Sequence, residues 1–511
     1  MRNYISLNLI LVTSSLLLAS TEAQTAPRIK ISPKSLVAQA LENNMGLEVS
    51  RLEVGIADDT VDSEWGRFSP TLGFEVGIDK VYRRQNAEEP STSLFAPPQE
   101  LFEGQRSFLS TSLGGRLPFG TTYEFTAASN RNDSDFTDNA TFDPEYSSSV
   151  GLTVTQPLLK NFGLNVGLAP VNIAKSDKSV AEHETKGAIE AIMARVLLAC
   201  YEVYFADENV IVKEESIELA RNLLEDNQKR VDQGRGSPID VTQAEARIAE
   251  AEAELVEAQS FFNERQARLR ELTQVSYQFG GDDYTFDSIE TLLPLPEKIE
   301  KANMYAGEML SNNADYLAAI ANAETEGIRV VFTKNQRYPE LNLRLSVGTS
   351  GLEDDLGSSY NDFENRRGID WGVGVVFSMP LDNRTANAQY RASQKRERQA
   401  ILRAKDTEIQ LLSALDVAVD NLTAGIKRKR LINEQVRLAE EALSAEETRL
   451  ANGVTTNYEV LIQQRELSVS QTQALAAEVE TYKAYLQLLL LQGILAENLG
   501  FELSFTPNSE S

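Results

Sequence analysis

One cysteine and one histidine in 511 residues leave this chain little reactive side-chain chemistry. Cys200 alone builds no disulfide framework and no thiolate metal site within one chain, and it reads as a small apolar residue of a helix. His183 lies in the charged run EHETK and reads as part of a solvated face rather than as a base. No HExxH, CxxC or glycine-rich phosphate loop occurs, so metal hydrolysis and nucleotide binding have no foothold, and neither a cofactor nor a catalytic residue is expected. Positive charge is also in short supply: 49 Lys and Arg against 76 Asp and Glu give a net charge of −27. That balance argues against nucleic acid as a partner, because phosphate binding rests on clustered cations. Aromatic residues make up only 7% of the chain, a thin core that suits long solvated helices. Beyond the N-terminus no run approaches the roughly 20 apolar residues of a membrane helix. The longest candidate, YLQLLLLQGIL at 485–495, reads as a buried helix end.

The N-terminus has the texture of an export signal. Arg2 precedes the apolar run ISLNLILVTSSLLLAS, and small residues follow up to Ala23, which predicts a secretory signal peptide over 1–23 rather than a membrane span. No cysteine stands near that cleavage site, so export without an N-terminal lipid is expected.

Much of what remains is written twice. RVDQGRGSPIDVTQAE at 230–245 is echoed by RLANGVTTNYEVLIQQ at 449–464, with Gly234 matched to Gly453 at an offset of 453 − 234 = 219. The same offset pairs Arg230 with Arg449, Val241 with Val460 and Asp240 with Glu459. A second block, residues 41–70, matches 310–339 at 339 − 70 = 269. The chain is a tandem duplication whose copies are too long to be solenoid units.

Two textures alternate within each copy. The first has period two. Leu72, Phe74, Val76 and Ile78 oppose Glu75, Gly77 and Asp79; Val150, Leu152 and Val154 oppose Gly151, Thr153 and Thr155. In the second copy Leu341, Leu343, Leu345 and Val347 alternate with Asn342, Arg344 and Ser346, and Trp371, Val373, Val375 and Phe377 with Gly372, Gly374 and Ser378. These are strands with one greasy face, about the length that crosses a bilayer when tilted. Alternation alone fits a sandwich as well as a barrel.

The second texture is helix: 171–233 and 386–451 hold no proline and almost no glycine. Roughly 63 to 66 residues make a rod of about 95 to 100 Å, carrying a coiled-coil-like seam such as Val196, Leu197, Cys200, Val203 and Tyr204. Shorter helices are expected over 45–67, 237–272, 314–337 and 457–491, pairs of which would run beside one long helix. QGRGSP and NGVTTN then read as tight turns between helices, with Gly234 and Gly453 as C-terminal stops and Ser237 and Thr456 as N-caps.

This duplicated order resembles the TolC-like outer membrane channel family over nearly the whole mature chain. The resemblance rests on RFSPTL (67–72) and RYPEL (337–341) at strand entry, on TQPLLKNFG (155–163) and SMPLDN (378–383) at strand exit, and on the two corners. It implies an α+β membrane protein: a homotrimeric transmembrane β-barrel continuing into a long α-helical, coiled-coil-like barrel in the periplasm. It also implies a passive exit duct of a tripartite efflux or type I secretion system, set in outer membrane lipid and docked to a periplasmic adaptor and an inner-membrane pump. The organisation expected is a first repeat over 24–272, a linker over 273–301, a second repeat over 302–495 and a tail over 496–511. Strand number supports part of this independently, since four to six strands cannot close a barrel and chains must share them.

Departures from the family pattern matter as well. Between matching prolines the first copy has (157 − 70) − (380 − 339) = 46 extra residues. They contain an alternating segment, 107–129, that reads as an added hairpin; an even number of strands keeps the next helix on the correct side of the membrane. Family members place acids six and nine positions after the second-copy glycine, where this chain has Glu459 and Ile462, and often an arginine two positions after it, where this chain has Thr455. Glu459 is therefore the candidate periplasmic constriction, set against a plain helix-end acid; for Asp240 the helix-end reading is favoured. The resemblance also nominates Gln233, Gly234, Arg235, Asn452, Gly453 and Val454 as adaptor-docking turns. The alternative to a channel is a periplasmic coiled-coil adaptor or structural protein without a barrel, and the amphipathic strands speak against it.

Overall fold

The computed structural model describes residues 28–84, 101–135, 141–273, 283–286, 293–296, 298–365 and 369–502; the expected signal peptide lies outside them. In chain order the elements are β1 (Arg28–Lys30), α1 (Pro33–Asn43), α2 (Met45–Trp65), β2 (Thr71–Arg84), β3 (Leu101–Arg116), β4 (Thr122–Ser134), β5 (Glu145–Pro157), α3 (Leu164–Gly167), α4 (Ala169–Asp232) and α5 (Pro238–Thr273). The second half supplies β6 (Asp283–Thr285), α6 (Ala302–Asn312), α7 (Ala314–Asn335), β7 (Glu340–Glu353), α8 (Leu356–Asn365), β8 (Asp370–Ser378), α9 (Arg384–Ala451), α10 (Asn457–Gln492) and α11 (Leu495–Asn498).

The duplication is visible in local chemistry. Asn44 accepts a hydrogen bond from the Leu47 amide at 3.1 Å, and Asn313 accepts one from the Tyr316 amide at 3.1 Å. Each side chain takes up an amide that the first turn of a helix leaves unpaired, so α2 and α7 start at equivalent points. The short helices α1 and α6 obey the same offset of 269, since Pro33 and Ala302 both open them.

The chain forms two compact units. One, residues 44–194, 295–428 and 480–511, carries a six-stranded antiparallel sheet in the order β2-β3-β4-β5-β7-β8. The insert of the first copy supplies β3 and β4, which pair along their lengths between β2 and β5. Below the sheet the two copies interlock. Asn161, at φ 64°, donates its amide to Asn335 Oδ1 at 2.7 Å and accepts from Gln336 Nε2 at 2.9 Å, while Lys160 meets Glu340 at 2.8 Å. The strand exit of copy one is thus tied to the strand entry of copy two. The helical core of this unit gathers Leu411, Leu415, Ala418, Val419 and Leu422 of α9 with Met309 and Leu488, a three-and-four spacing that keeps one face inward.

The other unit, residues 1–43, 195–294 and 429–479, is a helical bundle containing both corners. Leu223, Ala439, Leu443, Leu450, Val460 and Leu467 form its buried cluster, and Val196, Leu197, Cys200 and Val203 are fully buried along α4. A parallel pair of short strands, β1 with β6, lies within the unit. His183 of α4, expected on a solvated face, lies in the sheet-bearing unit and is half-buried.

Candidate functional site

Both corners have the same backbone. Gly234 has φ 71° and Gly453 φ 73°, and each is followed by an amide that reaches back across the last helical turn: Arg235 to the Arg230 carbonyl at 2.8 Å, Val454 to the Arg449 carbonyl at 2.9 Å. This is the glycine stop expected for a helix that must reverse within a few residues. α5 then opens on Pro238, whose missing amide costs nothing in a first turn, and Asp240 Oδ2 accepts from the Ser237 amide at 3.1 Å. Asp240 is thereby a capping carboxylate. Glu459 stands exposed in the first turn of α10, near exposed Tyr458 and Ile462. Thr455, at the place of the family's arginine, donates to Glu446, which also takes a 2.9 Å ion pair from Arg449. Gln233, Gly234, Arg235, Asn452, Gly453 and Val454 are all exposed.

The corners lie side by side. Asn227 of α4 donates Nδ2 to Asn457 Oδ1 at 2.8 Å, and Asn457 Nδ2 reaches the Asp240 carbonyl at 3.2 Å. Both asparagines are buried. The repeat offset matches Asn227 to Glu446 and Asn457 to Pro238, so neither asparagine has a counterpart in the other copy. Farther along the bundle Arg247, almost fully buried, bonds Glu250 and Glu254 at 3.1 and 3.2 Å and Ser216 at 3.0 Å, and Lys213 joins Glu254 at 3.0 Å. Burial pushes the Glu254 carboxyl up, but the bonds from Lys213 and Arg247 outweigh it and hold the group below its usual range.

In the sheet, register sorts side chains onto two faces. Pairing aligns Phe74 with Thr111, Thr111 with Ala127, Ala127 with Val150, Val150 with Thr349, Leu72 with Leu113, and Val347 with Trp371. Alternation then puts Leu72, Phe74, Val76, Ile78, Leu109, Leu113, Phe125, Leu152, Leu345, Trp371, Val373 and Phe377 on one continuous face. All of them are exposed, Trp371 by 74%. The opposite face holds Gly73, Glu75, Gly77, Arg106, Ser110, Thr126, Thr153, Arg344, Ser346 and Gly372. A soluble sheet hides its apolar face against a second layer; this one presents a largely apolar band outward and a polar face behind it. Among the described residues the outer strands β2 and β8 each have one unpaired edge.

A family model described as "Outer membrane efflux protein" matches residues 118–274 and 306–493. The chain belongs to that family. The match falls in two blocks, one per copy, and its members are TolC-like channels rather than enzymes. Among curated relatives, the cobalt-zinc-cadmium resistance protein CzcC of Cupriavidus metallidurans is 24% identical over 322 residues, 62% of this chain and 71% of CzcC. Among solved structures, the outer-membrane channel OprN aligns with a TM-score of 0.61 at 15% identity, covering 94% of this chain and 96% of its own. CusC aligns at 0.63 and 13%, covering 93% and 95%, and VceC of Vibrio cholerae at 0.61 and 18%, covering 90% and 96%. At these identities the structural likenesses carry the fold.

Proposed function

We propose that three copies of this efflux protein close a transmembrane barrel that continues as a helical tunnel in the periplasm. The assembly is a passive exit duct docked to an adaptor and an inner-membrane pump. The observation that carries this reading is the two-faced sheet with two open edges. Six strands fall short of the about 8 of the smallest closed barrel, and an unpaired backbone edge is not tolerated in hydrocarbon. Pairing β2 of one copy with β8 of the next removes both edges. Three chains bring about 18 strands, a number that leaves an aqueous channel in other barrels; the figure three comes from the family resemblance. Exposed apolar stripes below the sheet support contact between copies: Met45, Val49, Leu52 and Ile56 on α2, and Ile401, Leu402 and Ile409 on α9.

Adaptor docking falls to the exposed corner residues Gln233, Gly234, Arg235, Asn452, Gly453 and Val454, and the constriction to Glu459, which three copies would bring into one acidic ring. With Ile462 in the second family position, that ring has a single tier of acid. Cargo follows from the pump; the name of CzcC points to divalent metal efflux. The test is biochemical: the mature protein should float with outer membranes and run as a heat-labile oligomer, and cysteines placed on the free edges of β2 and β8 should crosslink chains into a closed trimer. Recovery as a soluble periplasmic protein would overturn the barrel.

A further inference from the structure

The short helix α8, between β7 and β8, buries Ser359 against the protein and turns Leu356 and Tyr360 outward, with Asn361 exposed beside them. Ser359 is fully buried and shares a 2.7 Å hydrogen bond with Ser148 Oγ of β5, itself buried and bonded to Ser129 Oγ at 3.3 Å. The Ser359 carbonyl sits so close over Gly351 that a Cβ there would collide with it. Asp355 Oδ1 accepts from the Ser358 amide at 3.0 Å and starts the helix. Outward, Leu356 is 45% and Tyr360 39% exposed, and half-buried Phe363 packs edge-on against Tyr360 at 5.5 Å. Positions i, i+4 and i+7 lie on one stripe of a helix. A helix resting on a protein in water is expected to have this the other way round.

Register locates the helix. Ser129, Ser148 and Gly351 are aligned across β4, β5 and β7 on the apolar face of the sheet. One step toward the middle the aligned residues are Ala127, Val150 and Thr349; one step toward the strand ends they are Arg131, Tyr146 and Glu353. α8 therefore covers the apolar face at the level where that face turns polar, and its outward stripe continues the apolar band.

We infer that α8 is an interfacial helix whose Leu356 and Tyr360 insert among the lipid acyl chains at the headgroup boundary. Aromatic residues favour that boundary, and an amphipathic helix lying in it buries its apolar side a short way into the chains. Small polar contacts beneath the helix hold it on the barrel wall, leaving the bulky side chains for lipid. This inference rests on the barrel reading of the sheet.

The test separates the two. In a Cys200→Ala background, single cysteines replace Tyr360, Phe74 of the apolar band or Ser346 of the polar face, each labelled with bimane in full-length protein reconstituted into bilayers. The phospholipids carry bromine near the carbonyl end or near the chain terminus. The label at 74 is expected to lose most of its fluorescence to bromolipid and the label at 346 only to aqueous iodide. The label at 360 should be quenched by the carbonyl-end bromines far more than by the terminal ones. If 74 is quenched by bromolipid while 360 responds to iodide alone, α8 lies in water or against another protein and the inference fails with the barrel intact. If 74 escapes bromolipid, the barrel reading falls and takes the inference with it.

Discussion

The amide groups of Asn227 and Asn457 meet at 2.8 Å and bind the two corners of the duplicated chain to each other. Asn227 comes from the helix entering the first corner and Asn457 from the helix leaving the second. The pair also secures the Asp240 carbonyl, one of the first-turn groups of α5. A corner needed twice in one chain thus becomes one braced end of the bundle.

Removing one member leaves the other buried without its partner, which costs about 1–3 kcal/mol. Asn227→Ala should lower the melting temperature of the helical signal and make the chain more readily cleaved by protease near 230–240 and 450–460. Asn227→Ala with proteolysis unchanged at both corners would show that turn geometry alone holds them.

Gly234→Val and Gly453→Val should each cost more than about 1–2 kcal/mol, the penalty of the left-handed conformation for a residue with a Cβ, with β-branching adding to it. At both positions a Cβ would meet nothing within 4 Å, so the penalty is conformational and not steric crowding. Asn, which tolerates this conformation, should recover most of it at either site. Trimer formation on detergent gels is expected to survive all four substitutions, and loss of the trimer would assign the glycines to assembly.

Glu190 of α4 is buried, and its Oε1 has no hydrogen-bond partner among the described residues. Burial pushes its pKa up to about 7, with Lys186 pulling more weakly the other way. A carboxyl whose folded pKa is raised contributes stability that is fully present below its unfolded pKa of 4.5 and is lost as pH rises through about 7. The wild type should therefore melt lower at pH 8 than at pH 5.5, and Glu190→Gln should remove that difference. The gain at pH 8 is at most about 3 kcal/mol. Parallel pH profiles of the two proteins would refute the assignment.

Arg247→Ala should destabilise the bundle by about 2–4 kcal/mol, because Glu254 and Glu250 lose a nearly buried cation. Arg247→Lys should recover only part, since one ammonium cannot reproduce the forked contacts to two carboxylates and Ser216. Thermal unfolding followed by circular dichroism measures both.

If Glu459 forms the constriction, planar-bilayer recordings should show cation preference and block by a trivalent cation added from the periplasmic side, weakened by salt. Both properties should fall in Glu459→Ala. Unchanged block in that variant would leave Glu459 as a helix-end acid stabilised by about 0.3–1 kcal/mol through the helix dipole.

Local rules carried far in this sequence. Period-two alternation marked the strands, uninterrupted helix formers marked α4 and α9, and a glycine ending each helical run marked both corners, because each depends on residues a few positions apart. The offset of 269 also contained α1 and α6 with the caps Asn44 and Asn313, a symmetry open to a longer comparison of the copies. Other features depend on distant residues. That the insert joins the sheet as β3 and β4 rests on a register between strands. The polar underside of α8 is readable only once Ser359 is set against Ser148, 211 positions away. The bond between Asn227 and Asn457 breaks the repeat pattern, so no alignment of the copies could reveal it. The sequence by itself determined which segments are helix, strand and turn and which strand face is apolar, since these follow from side-chain chemistry at helical or strand period. Tertiary structure alone decided which edges stay open, which corner braces which, and which side of α8 faces away, since each depends on what long-range folding brings alongside.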